Sequence, residues 1–150
     1  LETWVVRRQP GGSWSPPIKR AERCRVSAWS PDGRTLVGSN TDGEVVVTPA
    51  DSGSARTLYA PGAGAGNPQA SAPMWSPDGR TIYFRESPDA RGRVDFWSLP
   101  ATGGRPTRVA TFADPLRPSY KAYWTTDFKR FFFAINDRQS DIWVVELNKR

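Results

Sequence analysis

Catalysis needs side chains that titrate, attack or ligate near neutral pH, and this chain of 150 residues contains no histidine. That removes the usual general base and the commonest transition-metal ligand. The string Gly11-Gly12-Ser13-Trp14-Ser15 comes nearest to a serine-hydrolase elbow. It lacks the closing glycine, lies between two expected strands and has no base to activate its serine. Asp32 and Asp78 recur at one place in a repeat and invite a reading as paired carboxylates. Each stands in a Ser-Pro-Asp-Gly turn, where an aspartate serves first to bind its own backbone. Neither Asp32-Gly33 nor Asp42-Gly43 offers the alternate oxygen ligands of a calcium loop. Gly103-Gly104 and the glycines from Gly62 to Gly66 lack the following Lys-Ser/Thr and helix of a phosphate loop. The chain is therefore expected to be no enzyme, with no catalytic residue, no metal site and no cofactor.

Other candidates for binding are weaker in kind. The seven tryptophans could stack bases or sugars, but most recur at the repeat period, which favours packing between sheets. Trp14 falls outside the columns and is expected to be the exposed one. The net charge of +6 could serve an anionic partner. The arginines are scattered, with no run beyond Arg7-Arg8, so nucleic-acid binding is not expected. Cys24 is the only cysteine; it excludes an intrachain disulfide, leaves the redox compartment open and is expected to be a small buried filler. No apolar run is long enough to span a membrane as a helix.

Positioning elements come from a repeat. Trp29-Ser30-Pro31-Asp32-Gly33-Arg34-Thr35-Leu36 returns 46 residues on as Trp75-Ser76-Pro77-Asp78-Gly79-Arg80-Thr81-Ile82. A worn copy, Trp124-Thr125-Thr126-Asp127-Phe128-Lys129-Arg130-Phe131, follows after 49 more. Short apolar runs and tight turns at this period predict an all-β chain, a partial β-propeller of four-stranded antiparallel blades with about three consecutive blades. Each Trp ends a first strand, expected at Val26–Ser30, Ala72–Ser76 and Lys121–Thr125. In the turn, Pro presets φ, Asp binds backbone amides and Gly supplies the left-handed residue that closes a bulged hairpin. In the third copy this chemistry has decayed.

Second strands are expected at Thr35–Asn40, Thr81–Glu86 and Arg130–Asn136. Thr-Ile-Tyr-Phe and Phe-Phe-Phe-Ala-Ile are apolar at consecutive positions, so both faces should be buried. Third strands fall at Glu2–Arg8, Glu44–Pro49, Val94–Pro100 and Asp141–Leu147, with Trp4, Trp97 and Trp143 in one column. Fourth strands fall at Trp14–Arg20, Ala55–Ala60 and Pro106–Phe112. Residues 1–22 thus read as the rear half of a blade, 23–66 and 71–113 as full blades, and 119–147 as a three-stranded terminal blade. All belong to one propeller domain, expected to be cut at its N-terminal side. Pro61–Ser71 reads as an inter-blade loop.

Trp-Ser-Pro-Asp-Gly-Arg-Thr-Leu/Ile together with Asp141-Ile142-Trp143-Val144-Val145 resembles the TolB-like, or WD40-like PD40, propeller repeat. The stretch from Phe112-Ala113-Asp114-Pro115 to Leu147 is most similar to the propeller tails of bacterial serine/threonine kinases. The resemblance implies a non-catalytic module for protein interaction or ligand sensing in a larger bacterial protein, in a periplasmic or extracytoplasmic compartment. Its alternative implication is a gating domain of a serine peptidase of the prolyl oligopeptidase or tricorn kind, with catalysis elsewhere. Partners would be a protein or peptide, the remainder of its own propeller, or a second copy pairing as a homodimer of half-rings. Topology sets the regular turns on one rim and irregular loops on the other, and irregular loops carry binding. On that second rim the candidate partner-binding residues are Arg85, Glu86, Arg91, Tyr120, Lys121, Asn136 and Arg138.

Overall fold

In a computed structural model of the chain, residues 2–51, 53–61, 69–86, 93–114 and 123–135 are described. The described residues form strands and turns, with no helix among them. The strands are β1 (Glu2–Val5), β2 (Ile18–Glu22), β3 (Cys24–Trp29), β4 (Thr35–Asn40), β5 (Val45–Pro49) and β6 (Arg56–Tyr59). They continue with β7 (Ala70–Trp75), β8 (Thr81–Glu86), β9 (Val94–Pro100), β10 (Thr107–Phe112), β11 (Trp124–Thr126) and β12 (Phe131–Phe133). Neighbours pair antiparallel in chain order: β1-β2, β3-β4-β5-β6, β7-β8-β9-β10 and β11-β12. The all-β expectation holds, with two complete four-stranded meanders.

The recurrent turn explains the hairpins. Gly33 N–H donates to the Ser30 carbonyl at 2.9 Å and Ser30 N–H to the Thr35 carbonyl at 2.7 Å. Ser30 Oγ donates to Asp32 Oδ1 at 2.6 Å, and the Arg34 amide donates to the same oxygen at 3.0 Å. Ser76, Asp78 and Arg80 repeat these bonds at the same lengths. Gly33 and Gly79 take φ of 70° and 69°, a region costly for any residue with a Cβ. The third turn has changed in part, as its sequence suggests: it is a bend in which Thr126 Oγ1 accepts from the Phe128 amide at 2.9 Å. Asp127 Oδ1 still accepts from the Lys129 amide at 2.9 Å, and Phe128 occupies the glycine place at φ 65°.

Strand ends differ from expectation where a local rule intervenes. β4, β8 and β9 run as read. The fourth strand expected at Trp14–Arg20 is β2, starting at Ile18, because Pro16 and Pro17 bring no amide to a ladder; Trp14 makes only an isolated bridge with Arg8. β3 and β7 begin earlier than expected, at Cys24 and Ala70, since shifts between Val26 and Ala28 and between Ser71 and Met74 absorb extra residues. The strand expected at Glu2–Arg8 stops at Val5. The strand expected at Asp141–Leu147, with Trp143, lies outside the described residues.

Sheets pack face to face. Val37, Val45, Val47, Leu58 and Tyr59 of the β3–β6 sheet share one core with Ala70, Ile82, Phe84 and Leu99 of the β7–β10 sheet, flanked by Trp75 and Trp97. β7 lies against β3 and β4. Phe96, on the opposite face of the β7–β10 sheet, meets Phe131 at 4.7 Å, Phe133 at 5.4 Å and Trp124 at 5.6 Å between ring centroids. Ala21, Cys24 and Val46 join β1–β2 to the β3–β6 sheet. Cys24 is the buried filler expected, and burial pushes its thiol pKa up. Trp14, at 65 % exposed, is the most exposed tryptophan among the described residues, as expected.

Two packing expectations need correction. β12 is not buried on both faces: Phe132 is 48 % exposed, because no described strand covers that side. Trp4 and Trp29 are also half exposed, although Trp97 and Trp75 of the same columns pack against the core.

Candidate interaction site at the end of β8 and β9

β8 reads Thr81-Ile82-Tyr83-Phe84-Arg85-Glu86. Successive side chains of a strand point to opposite faces, so Arg85 and Glu86 are separated by the sheet. Arg85 shares the face of Tyr83, which meets Phe128 at 5.9 Å and Phe131 at 6.2 Å. It is 1 % exposed, and burial pulls its pKa below the ordinary arginine value. This arginine is thus interior and not on a rim surface. Glu86 shares the face of Phe84 and looks toward the β3–β6 sheet. Its Oε2 accepts from Trp97 Nε1 at 3.1 Å. Tyr59 stands across from it, stacked on Phe84 at 5.9 Å. Burial, and then the charge of Glu86, raise the pKa of the Tyr59 hydroxyl.

Beside Glu86 lies a cluster that sequence reasoning missed. Asp95 is 5 % exposed. Its Oδ2 accepts from Arg93 at 2.6 Å and lies 3.5 Å from Arg108, while its Oδ1 accepts from Thr111 Oγ1 at 2.6 Å. Burial alone would raise the Asp95 pKa. The Thr111 and Arg93 hydrogen bonds, with the charges of Arg93 and Arg108, outweigh it and hold the carboxyl below the usual range. β9 and β10 build the cluster by register: Asp95 pairs with Thr111 and Trp97 with Arg108, so alternate residues of β9 meet their partners on one face. The only sequence signal was Arg93-x-Asp95, a common strand pattern.

Arg93 and Arg108 keep about half of their side chains in solvent. Two guanidinium groups steadied by one buried carboxylate, next to Glu86 and Trp97, form a mixed-charge surface. It suits polar docking of a peptide or protein segment. No group of metal-ligating side chains occurs among the described residues.

The equivalent loop of the preceding sheet is closed on itself. Asn40 Oδ1 accepts from the amides of Asp42 and Glu44 at 3.0 Å, and Asn40 Nδ2 donates to Glu44. Of the candidate residues that are described, Glu86 falls on this surface and Arg85 lies inside. Arg91, Tyr120, Lys121, Asn136 and Arg138 lie outside the described residues. No family model matches the chain, and no curated protein matches it.

Proposed function

We propose that the chain is part of a β-propeller of the TolB-like kind and acts as a non-catalytic module for protein interaction or ligand sensing within a larger bacterial protein, in an extracytoplasmic compartment. The single observation that carries this reading is the constant sense of stacking. In the two sheets that follow the β3–β6 sheet, the first-strand tryptophan, Trp75 or Trp124, turns toward the sheet before it. The first strand β7 meets β3 and β4 of that sheet, which is how wedge-shaped blades converge on an axis. The octapeptide repeat and its resemblance to the PD40 repeat point the same way.

Binding in this reading uses the rim of Glu86, Arg93 and Arg108, away from the regular turns of Arg34 and Arg80. A photo-crosslinking residue placed at Arg93 or Thr41 of the intact protein in its own cells should capture a discrete partner. The same residue at Arg34 or Arg105 should not. Capture only from the turn positions, or covalent labelling of the chain by a fluorophosphonate, would refute the reading.

A further inference from the structure

A backbone amide can attack the aspartate side chain just before it, most readily where that amide belongs to glycine, which puts no Cβ beside its nitrogen. The chain holds three such pairs, Asp32-Gly33, Asp42-Gly43 and Asp78-Gly79, and the fold treats them differently. In the first and third both reacting groups are held. Asp32 Oδ1 accepts from Ser30 Oγ at 2.6 Å and from the Arg34 amide at 3.0 Å, and Asp78 Oδ1 accepts likewise from Ser76 and Arg80. The Gly33 and Gly79 amides donate to the Ser30 and Ser76 carbonyls at 2.9 and 3.0 Å. Hydrogen bonds to a charged group are the stronger kind, so both turns resist the rotation that would bring the carboxyl carbon onto the glycine nitrogen.

Asp42 has neither restraint. Among the described residues its carboxylate accepts no hydrogen bond. Arg23 stands off at 3.9 Å, with both side chains well exposed, and an ion pair of that kind fixes little. The Gly43 amide reaches the Asn40 carbonyl only at 3.3 Å, past the usual range. Asn40 Oδ1 instead holds the amides of Asp42 and Glu44, which frames the loop and leaves the Asp42 side chain loose.

We propose that Asp42 is a site of spontaneous isomerisation. The Gly43 nitrogen attacks Cγ of the protonated Asp42 carboxyl, the amide proton and the carboxyl hydroxyl leave as water, and a five-membered succinimide closes. Water then adds to the Asp42 α-carbonyl carbon, the bond from that carbon to the Gly43 nitrogen breaks, and the nitrogen takes up a proton. The main chain now runs through the side-chain carbonyl, and the α-carboxyl of Asp42 is free. The consequence falls between two sheets. The Gly43 carbonyl accepts from the Ala70 amide, at the start of β7, at 2.9 Å. Gly43 also lies so close to Gln69 that a Cβ on it would stand 2.7 Å from Gln69 Cβ. An extra methylene in the main chain at this point cannot keep both contacts, so isomerisation unties the β4–β5 loop from the next sheet.

Ageing the folded chain at neutral pH in heavy-oxygen water, followed by peptide mass spectrometry that separates isoaspartyl from aspartyl linkages, tests the proposal. The rate at Asp42 should exceed that at Asp32 or Asp78 by at least about tenfold, since each charge-assisted hydrogen bond that must break is worth about that factor. The chain unfolded in urea should isomerise at all three places at comparable rates. Ser76→Ala removes one restraint and should raise the rate at Asp78 while leaving Asp42 as it was. Amide exchange at Ala70 should be faster in the isomerised fraction than in the fresh chain. Equal rates at the three places in the folded chain, the same ratio folded and unfolded, or a rate at Asp78 unmoved by Ser76→Ala would each overturn the proposal. Unchanged exchange at Ala70 would overturn its consequence for the sheets.

Discussion

The third turn offers a test in which two known effects oppose each other. Phe128 sits at φ 65°, where a residue with a Cβ costs roughly 1–2 kcal/mol against glycine. Its ring returns more than that. Phe128 is 40 % exposed, so about 120 Å² of a ring-bearing side chain that can bury ~200 Å² is covered. At ~25 cal/mol per Å² this is about 3 kcal/mol, as an upper figure. The contact with Tyr83, at 5.9 Å and 55°, adds roughly 0.5–1.5 kcal/mol. Phe128→Ala should therefore lose about 2–3 kcal/mol, since the ring goes and the left-handed backbone stays. Phe128→Gly should lose about 1 kcal/mol less than that, because the backbone is then unstrained. Urea unfolding followed by tryptophan fluorescence, with amide exchange of β12 as the local probe, orders the three proteins. Wild type should be the most stable and the alanine variant the least. Alanine equal to or better than glycine would mean that residue 128 does not hold the left-handed conformation, and the turn reading would fail.

Other perturbations follow from the same contacts. A Cβ on Gly38 would come within 2.7 Å of Cys24 Sγ and collide with the Arg25 carbonyl; Gly38→Ala should cost about 1–3 kcal/mol in urea unfolding, as overpacking does. Asp95→Asn keeps the shape and removes the charge that Arg93 and Arg108 share, so a loss of about 1–3 kcal/mol is expected by urea unfolding, together with weaker partner capture at Arg93. Asp32 and Asp78 have pKa values lowered by hydrogen bonds from Ser30 and Ser76 and then from the Arg34 and Arg80 amides. A carboxylate depressed in the folded state stabilises above its unfolded pKa and loses that contribution as pH falls through the folded value. Asp32→Asn with Asp78→Asn should therefore lower stability at neutral pH and flatten the acid limb of stability against pH, measured by thermal melts from neutral pH downward.

Much of the fold was legible because hairpins write themselves in local chemistry. Ser-Pro-Asp-Gly marks a bulged turn wherever it occurs, and β4, β8 and β9 follow at the expected residues. The Pro16-Pro17 stop was also legible, as a pair without amides, yet the period of the repeat overrode it in the reading. What was not legible depends on neighbours. Trp4 and Trp29 carry the same pattern as Trp97 and Trp75, and only the presence or absence of a covering strand separates them. The candidate site fared similarly. Arg85 and Glu86 read as one polar strand end, although alternation along a strand already assigns them to opposite faces. The Asp95 cluster draws Arg108 and Thr111 from the next strand, and the bulge between Arg108 and Ala110 that sets their phase has no sequence mark.

The opposed facing of Phe84 and Arg85 also limits how the gene can vary. One residue gained or lost between Trp75 and Thr81 would slide β8 by a single place and exchange its faces. A guanidinium would then enter the core beside Val37 and Leu99, and a phenylalanine would leave it. The length of the hairpin between Trp75 and Thr81 is thus a frozen trait, and insertions or deletions among descendants should be absent from it.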